Sequence, residues 1–241
     1  SVRDIEKGKE IHSEIERRGL SSQNVTIGNA LVDMYARCGY VAMAENIFHR
    51  VSDPDTYTWN ALLTGYSEHG YALQAIKCFE RMQLHDVHLD VVTFICCLKA
   101  CRSIEKGQEI HGKISKKGMI ERDLMVGNAV VDMYVNCGSL VTCQCVFDQL
   151  PDRDVVSWTV LIAGYVKHGY GREALDCFAK MKARGITPNA ITIICAMNAC
   201  GSIGLKDIAE DLHAEILKRR LFETDLVIGN ALIDMYAKCG L

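Results

Sequence analysis

A histidine two residues before a glutamate can begin a zinc-hydroxide site, and the chain offers that beginning twice, as His12–Ser13–Glu14 and His213–Ala214–Glu215. In zinc deaminases the histidine ligates the metal and the glutamate moves protons, but P-C-x-x-C thiolates complete the site. The third copy of this segment reads His111–Gly112–Lys113, and no P-C-x-x-C follows anywhere. The cysteine pairs nearest in sequence are Cys96–Cys97, Cys97–Cys101, Cys143–Cys145 and Cys195–Cys200, all inside apolar helical patterns. Cys38, Cys137 and Cys239 recur at intervals of 99 and 102 residues, too far apart in a stacked chain to share a metal. No nucleophile–base pair, phosphate loop or complete ligand set remains. The expectation is a binding protein without cofactor or metal, not an enzyme.

Composition narrows the class of binder. Of 241 residues, 49% are hydrophobic and 24% charged, the balance of a folded chain. Lys+Arg 27 against Asp+Glu 30 leaves a formal charge of -3, which excludes a generic polyanion binder. Any contact with nucleic acid must rest on a localised surface. The 12 cysteines read as small buried hydrophobes in a reducing compartment. The longest stretch without Asp, Glu, Lys or Arg, Gly185 to Leu205, contains Pro188, Asn189 and Asn198, so no membrane span is expected. The opening SVRDIEKGKEIH has no signal or transit-peptide character and starts in mid-pattern, as an excised piece would.

The elements that must position any site come from internal repetition. GNALVDMYARCG begins at Gly28, GNAVVDMYVNCG at Gly127 and GNALIDMYAKCG at Gly229. Trp59–Met82 realigns with Trp158–Met181, keeping the Trp, GY, HGY, CF and final Met. IEKGKEIH at Ile5 returns as IEKGQEIH at Ile104, and loosely as DIAEDLH ending at His213. The second copy is three residues longer, between Cys200 and His213, and the sequence places that difference in a loop. Each long period divides into units 25–55, 56–90 and 91–123, then 124–154, 155–189 and 190–225, flanked by 1–24 and 226–241. Every unit reads as two amphipathic helices. Trp59, Leu62, Leu63 and Tyr66 line the first helix of one unit, and Ala72, Ala75, Ile76 and Phe79 line the second. Pro54, Pro151 and Pro188 fall in the last four residues of units, where helices must stop. A helix pair of this size cannot bury its apolar faces alone. The expectation is therefore an all-α fold, a right-handed α-solenoid of stacked helix-turn-helix repeats with about fourteen helices.

These residues carry a resemblance. The succession of 31-, 35- and 33–36-residue units is similar to the pentatricopeptide repeat family, in the subclass that alternates P, L and S motifs and is found mainly in plant organellar RNA-editing factors. GNALVDMYARCG resembles the S motif. TWNALLTGYSEHGYALQAIKCFERM and its copy at Ser157 resemble P motifs, and VTFICCLKAC with KGQEIHGKI resembles the L motif. In those terms 1–24 ends an L motif, 25–55 and 124–154 are S, 56–90 and 155–189 are P, 91–123 and 190–225 are L, and 226–241 begins an S motif. The resemblance implies that single-stranded RNA is the partner, read at one base per repeat by two or three side chains. It also implies a mitochondrial or chloroplast location and accessory editing-factor proteins at the L motifs. Editing chemistry would belong to a separate C-terminal deaminase domain.

In the family the deciding residues are the fifth and the last of each motif. Carried over, Asn29 with Asp55, Asn60 with Asp90 and Asn128 with Asp154 imply uracil, with cytosine tolerated. Thr159 with Asn189 implies adenine. Ile95 with Asp123 and Ile194 with Asp225 imply silent units, because isoleucine cannot hydrogen-bond a base. Asn230 opens an S motif whose last residue is missing, giving 5′-UUnUAn(Y)-3′. Second-position residues implied to sandwich bases are Tyr57, Val92, Met125, Val156, Ile191 and Val227, with Thr26 a weak platform. Arg37, Lys167 and Lys238 are implied phosphate contacts. Two alternatives stand beside this reading. Asn29, Asn128 and Asn230 could be helix N-caps, although Ile95 and Ile194 at the same register could not cap. The whole array could instead be a protein-binding scaffold. Trp59 and Trp158 are expected in the core, and His69 and His168 in turns or caps.

Overall fold

The computed structural model describes residues 2–18, 25–220 and 226–240, with side chains from Ile5 onward. The described residues form fourteen helices and no strand, in agreement with the all-α expectation. The chain divides into two compact units, Ser1–Gly112 and Lys113–Leu241. The first holds α1 (Val2–Arg17), α2 (Val25–Arg37), α3 (Val41–Phe48), α4 (Thr56–Glu68), α5 (Ala72–Leu84) and α6 (Val91–Ala100), and most of α7 (Ile104–Lys116). The second holds α8 (Leu124–Asn136), α9 (Leu140–Gln149), α10 (Val155–Lys167), α11 (Gly171–Ala183), α12 (Ala190–Ile203), α13 (Lys206–Lys218) and α14 (Leu226–Cys239). Among the described residues no helix is long and apolar enough to cross a membrane.

Within the first unit α4 packs against both α2 and α6, and α3 and α5 pack behind them. In the second unit α8, α10, α12 and α14 follow one another in the same way, with α9, α11 and α13 behind. A first helix therefore has neighbours on three sides, and its sequence shows it. In α4, Thr58 through Leu63, Gly65 and Tyr66 are all buried. The register of Tyr57, Asn60, Thr64 and Glu68 is the most open on this helix, with Tyr57 and Glu68 exposed, Thr64 half-buried and Asn60 buried to 8% exposure. The second helices are amphipathic in the ordinary sense, as in α5, which buries Ala75, Cys78, Phe79 and Met82. Trp59 and Trp158 are core residues, 3% exposed, with ring centroids 4.6 Å from Phe48 and 4.8 Å from Phe147 respectively.

Two kinds of glycine make this spacing possible. Gly39 has φ +82° and lets the Tyr40 N–H return to the Tyr35 carbonyl (2.9 Å), ending α2 in a left-handed turn before α3 begins. Gly65 instead lies inside α4, where a Cβ would stand 2.7 Å from Ala36 Cβ and 3.1 Å from its Cα, so the adjacent helices touch backbone to backbone. His168 ties neighbouring turns together, its Nε2–H donating to the Val135 carbonyl near the end of α8 (2.8 Å).

One expectation needs correction. The three extra residues of the second period do not lengthen a loop. Cys101 leaves α6 in an extended conformation, whereas α12 continues through Cys200, Gly201, Ser202 and Ile203 and stops only at left-handed Gly204. An insertion close to one helical turn is absorbed by the helix, keeping its carbonyls paired.

Glycine in a helix interior normally costs about 1 kcal/mol against alanine, so two glycines in α-helices make opposite predictions. Gly112, in α7, has nothing within 4 Å of its Cβ position. Gly112→Ala should raise the thermal midpoint, whereas overpacking costs of about 1–3 kcal/mol should make Gly65→Ala lower it. Thermal melts followed by circular dichroism decide; equal shifts would mean that Gly65 does not set the helix spacing.

Candidate nucleic-acid interface

The last residue of a unit is also the cap of the next unit's first helix. Asp55 accepts from the Thr58 N–H, Asp90 from Thr93, Asp154 from Ser157 and Asn189 from Thr192, each at 2.9 Å. Asp123 caps α8 through Met125 and Val126. The N-cap alternative for the asparagines is thereby overturned at Asn29 and Asn128, which lie inside α2 and α8 as the fifth helical residue. Asn230 has the same register in α14. Asp225 lies outside the described residues, and so the partner of Ile194 is not defined. Capping alone accounts for an acid in last position, as Asp123 shows; what distinguishes a site is the fifth residue it reaches.

Two of the expected pairs are brought together directly. Asn60 Nδ2 donates to both carboxylate oxygens of Asp90, at 3.0 and 2.9 Å. Asn29 Nδ2 lies 3.2 and 3.3 Å from those of Asp55. A third residue joins each pair: the Thr93 hydroxyl reaches Asn60 Oδ1 at 2.7 Å, and that of Thr58 reaches Asn29 Oδ1 at 2.5 Å. Where the two oxygens of the carboxylate share a single N–H, each amide keeps its other N–H and one oxygen lone pair, a donor beside an acceptor. Burial alone would raise the Asp55 carboxyl, but the Thr58 N–H and hydroxyl and the Asn29 amide outweigh it and hold the group below the usual carboxylate range. Its contribution to stability is therefore present above the unfolded-state value and is lost as pH falls through the lower, folded one.

The other two pairs are not joined in this way. Asn128 makes no bond to Asp154, and its buried Oδ1 has no hydrogen-bond partner. Thr159 reaches Asn189 only through Thr192: Thr159 Oγ1 is 2.7 Å from Thr192 Oγ1, which donates to Asn189 Oδ1 at 2.8 Å. With its oxygen so occupied, the amino group of Asn189 is what remains for another partner. The linking residues Thr58, Thr93 and Thr192 are fully buried, as is Ser157 at the same register. Sequence reading passed over them because it took units singly, whereas each link crosses from one unit into the next.

The second-position residues sit on the open register one turn before the fifth. Tyr57, Val92, Met125, Val156, Ile191 and Val227 are 47–67% exposed although large and apolar, and Thr26 is exposed as well. The three expected phosphate contacts are exposed but already engaged. Arg37 Nε donates to Asp33 at 2.8 Å, Lys238 Nζ to Asp234 at 2.6 Å, and Lys167 Nζ to Asn136 Oδ1 at 2.8 Å. Asn136, at the register of Arg37, donates to Asp132 in the same i−4 manner. Surface pairs of this kind are worth about 0–1 kcal/mol, so an anion could displace the acid at little cost.

No group of three or more His, Cys, Asp or Glu side chains able to hold a metal occurs among the described residues. His12 and His213 instead bond tyrosines, Nδ1 lying 3.0 Å from Tyr35 Oη and 2.8 Å from Tyr236 Oη. All twelve cysteines are free, and burial raises the Cys78 and Cys143 thiols to about 12, away from nucleophilic or metal-binding thiolate.

Comparison with known proteins places this geometry. Structurally, 97% of the chain superposes on 36% of the pentatricopeptide repeat protein PPR10 in complex with an 18-nt psaJ RNA element, with TM-score 0.77 and 21% identity. The crystal structure of the pentatricopeptide repeat protein PPR10 from maize gives TM-score 0.67 over 87% of the chain and 31% of that protein, with 22% identity. In Arabidopsis thaliana, the chloroplastic pentatricopeptide repeat-containing protein At4g18520 is 33% identical over 98% of this chain and 38% of its own length. For the chloroplastic CRR2 the figures are 39%, 93% and 33%, and for the mitochondrial At2g03380 they are 31%, 98% and 34%. The chain thus spans about a third of the length of these relatives. The PPR repeat family model matches residues 54–103 and 153–202, and the PPR repeat model matches 29–53. With more than half its residues inside those matches, and such relatives along nearly its whole length, the chain belongs to the pentatricopeptide repeat family.

Proposed function

We propose that this chain binds single-stranded RNA in a sequence-specific way, one base per repeat, and is the recognition part of an organellar RNA-editing or processing factor. The observation that carries the reading is the Asn60–Asp90 pair: a fixed donor and acceptor one turn from exposed Tyr57, with the same arrangement at Asn29 and Asp55. A base stacked between successive second-position side chains would meet that amide with its hydrogen-bonding edge. Uracil offers an N–H beside a carbonyl oxygen, the complement of the free amide donor and acceptor. At the second 35-residue unit Thr159 is short and leaves room for a purine, and the remaining amino group of Asn189 suits a ring nitrogen of adenine. The units carrying Ile95 and Ile194 read no base. The proposed site is 5′-UUnUAn(Y)-3′, with Asn230 choosing the final pyrimidine. The alternation of P, L and S motifs, a mitochondrial or chloroplast location and accessory proteins at the L motifs belong to the same proposal. It is supported by the unit lengths and by relatives named as chloroplastic or mitochondrial.

Three outcomes follow. Titrating the chain with the proposed RNA, alone and annealed to its complement, should give binding to the single strand only, because stacking at about 1–3 kcal/mol per base needs an open base face; equal affinity for duplex would defeat the reading. Replacing Arg37, Lys167 and Lys238 by Gln should weaken binding evenly across sequences and flatten its salt dependence by about two units of slope. A changed base preference with an unchanged slope would remove them from the phosphate contacts.

The third outcome concerns the adenine unit. Thr192 stands where Thr93 stands, so Thr159→Asn with Asn189→Asp should rebuild the Asn60–Asp90–Thr93 arrangement. The double variant should prefer U over A at the fifth base by about 1–3 kcal/mol, reversing the parent. If both proteins fold by circular dichroism and neither discriminates, the protein-scaffold reading takes the place of this one.

A further inference from the structure

We infer that the buried hydroxyl at the third position of a unit is a specificity-positioning residue for the base read by the preceding unit, holding that unit's fifth side chain in one orientation. The inference rests on the base-readout reading proposed above and adds a residue to it.

The geometry is given twice within one compact unit. Thr58 and Thr93 each touch an asparagine oxygen of the preceding repeat and the carboxylate that the asparagine's amino group also meets. The Thr93 hydroxyl has one proton for two acceptors, Asn60 Oδ1 at 2.7 Å and Asp90 Oδ1 at 2.9 Å; given to the nearer, it holds the oxygen end of the Asn60 amide while Asp90 holds the nitrogen end. An amide held only by the carboxylate keeps its hydrogen bond over a range of side-chain torsions. One held at both ends does not, and its free donor and acceptor keep a fixed order in space. That order separates uracil, with N–H between two carbonyls, from cytosine, whose ring nitrogen accepts and whose amino group donates. In the second compact unit Thr192 also stands between a fifth and a last residue, Thr159 and Asn189, although there the fifth residue is a hydroxyl that bonds the Val155 carbonyl at 2.6 Å as well.

The sequence supplies an independent pattern. A hydroxyl follows each unit whose fifth residue is polar: Asn29 is followed by Thr58, Asn60 by Thr93, Asn128 by Ser157 and Thr159 by Thr192. An aliphatic residue follows each unit whose fifth residue is isoleucine: Ile95 is followed by Val126 and Ile194 by Ile228. Helix capping does not require the hydroxyl, because Asp123 caps α8 with Val126 in third position. All six residues are fully buried, so solvent contact does not explain the alternation either. The hydroxyl tracks the polarity of the side chain it would hold. Ser157 reaches Asp154 at 2.9 Å and leaves Asn128 unlinked, which makes the base read by Asn128 the least sharply chosen of the three uracils.

Thr93→Val is the decisive variant, since Val126 shows that valine fits this register. Affinities are measured for four RNAs: the proposed site, the site with C or with A at the second base, and the site with U for A at the fifth. Thr93→Val should lower discrimination at the second base by about 3- to 10-fold, the equivalent of one neutral hydrogen bond. It should leave the fifth-base ratio unchanged. A loss of affinity equal for all four RNAs, or second-base ratios that do not move, overturns the inference and reduces Thr93 to a packing residue. Asn60→Ala serves as the control on the underlying reading. If it too leaves the second-base ratios at the parent's values, the base-readout assignment fails, and this inference falls with it. Should Thr93→Val not fold by circular dichroism, Thr192→Val in the other compact unit gives the same comparison at the fifth base.

Discussion

A carboxylate that caps a helix has one oxygen committed to backbone N–H groups and the rest of its capacity free, and the candidate interface is built on that remainder. Asp55 and Asp90 end one repeat, begin the next first helix, and still reach the asparagine of the repeat they close. Capping of this kind is worth about 0.5–2 kcal/mol, so the acid is in position before any ligand arrives. The asparagine inherits that fixity. Binding then need not immobilise either side chain, a cost that otherwise runs to about 0.5–1.5 kcal/mol for each. Because the cap joins consecutive repeats, stacking brings the last residue of one repeat close to its fifth, and in two repeats the pair is bonded.

Burial explains why the interface is so narrow. First helices pressed between neighbours leave a narrow register open toward one side, along which residues succeed one another at intervals of three or four: Thr26, Asn29, Asp33 and Arg37 on α2, and Val156, Thr159, Ala163 and Lys167 on α10, with Asn29 and Thr159 themselves buried. Apolar, polar and cationic groups are thus sorted along the helix axis at about 1.5 Å per residue. A chain of net charge -3 can still meet a polyanion by this route, since its cations are presented at repeated places and held there by weak acid partners. Close approach by Gly65 keeps consecutive registers close together; a side chain at that position would push α4 away from α2.

Much of this was legible in one dimension. Periodicity and the GNA and HGY repeats determined the helix pairs, because residues that recur at 3.6-residue spacing and cannot bury themselves alone leave stacking as the outcome. The core placement of Trp59 and Trp158 followed from the same register, and the apolar second positions from the family resemblance. At the insertion near Cys200 the sequence shows where residues are added but not whether a helix can continue through them. Continuing α12 kept its backbone hydrogen bonds, and that local energy balance decided it.

The sequence by itself determined which side-chain types stand at the fifth, last and third registers, and so what each could donate or accept. Only the tertiary structure decided which of them meet. Asn29, Asn60 and Asn128 carry the same amide and face the same acid in the alignment, yet two are bonded to it and Asn128 is not. A hydrogen bond is made or lost over less than 1 Å and a few tens of degrees. That depends on how one helix packs on the next, and no residue's identity specifies it.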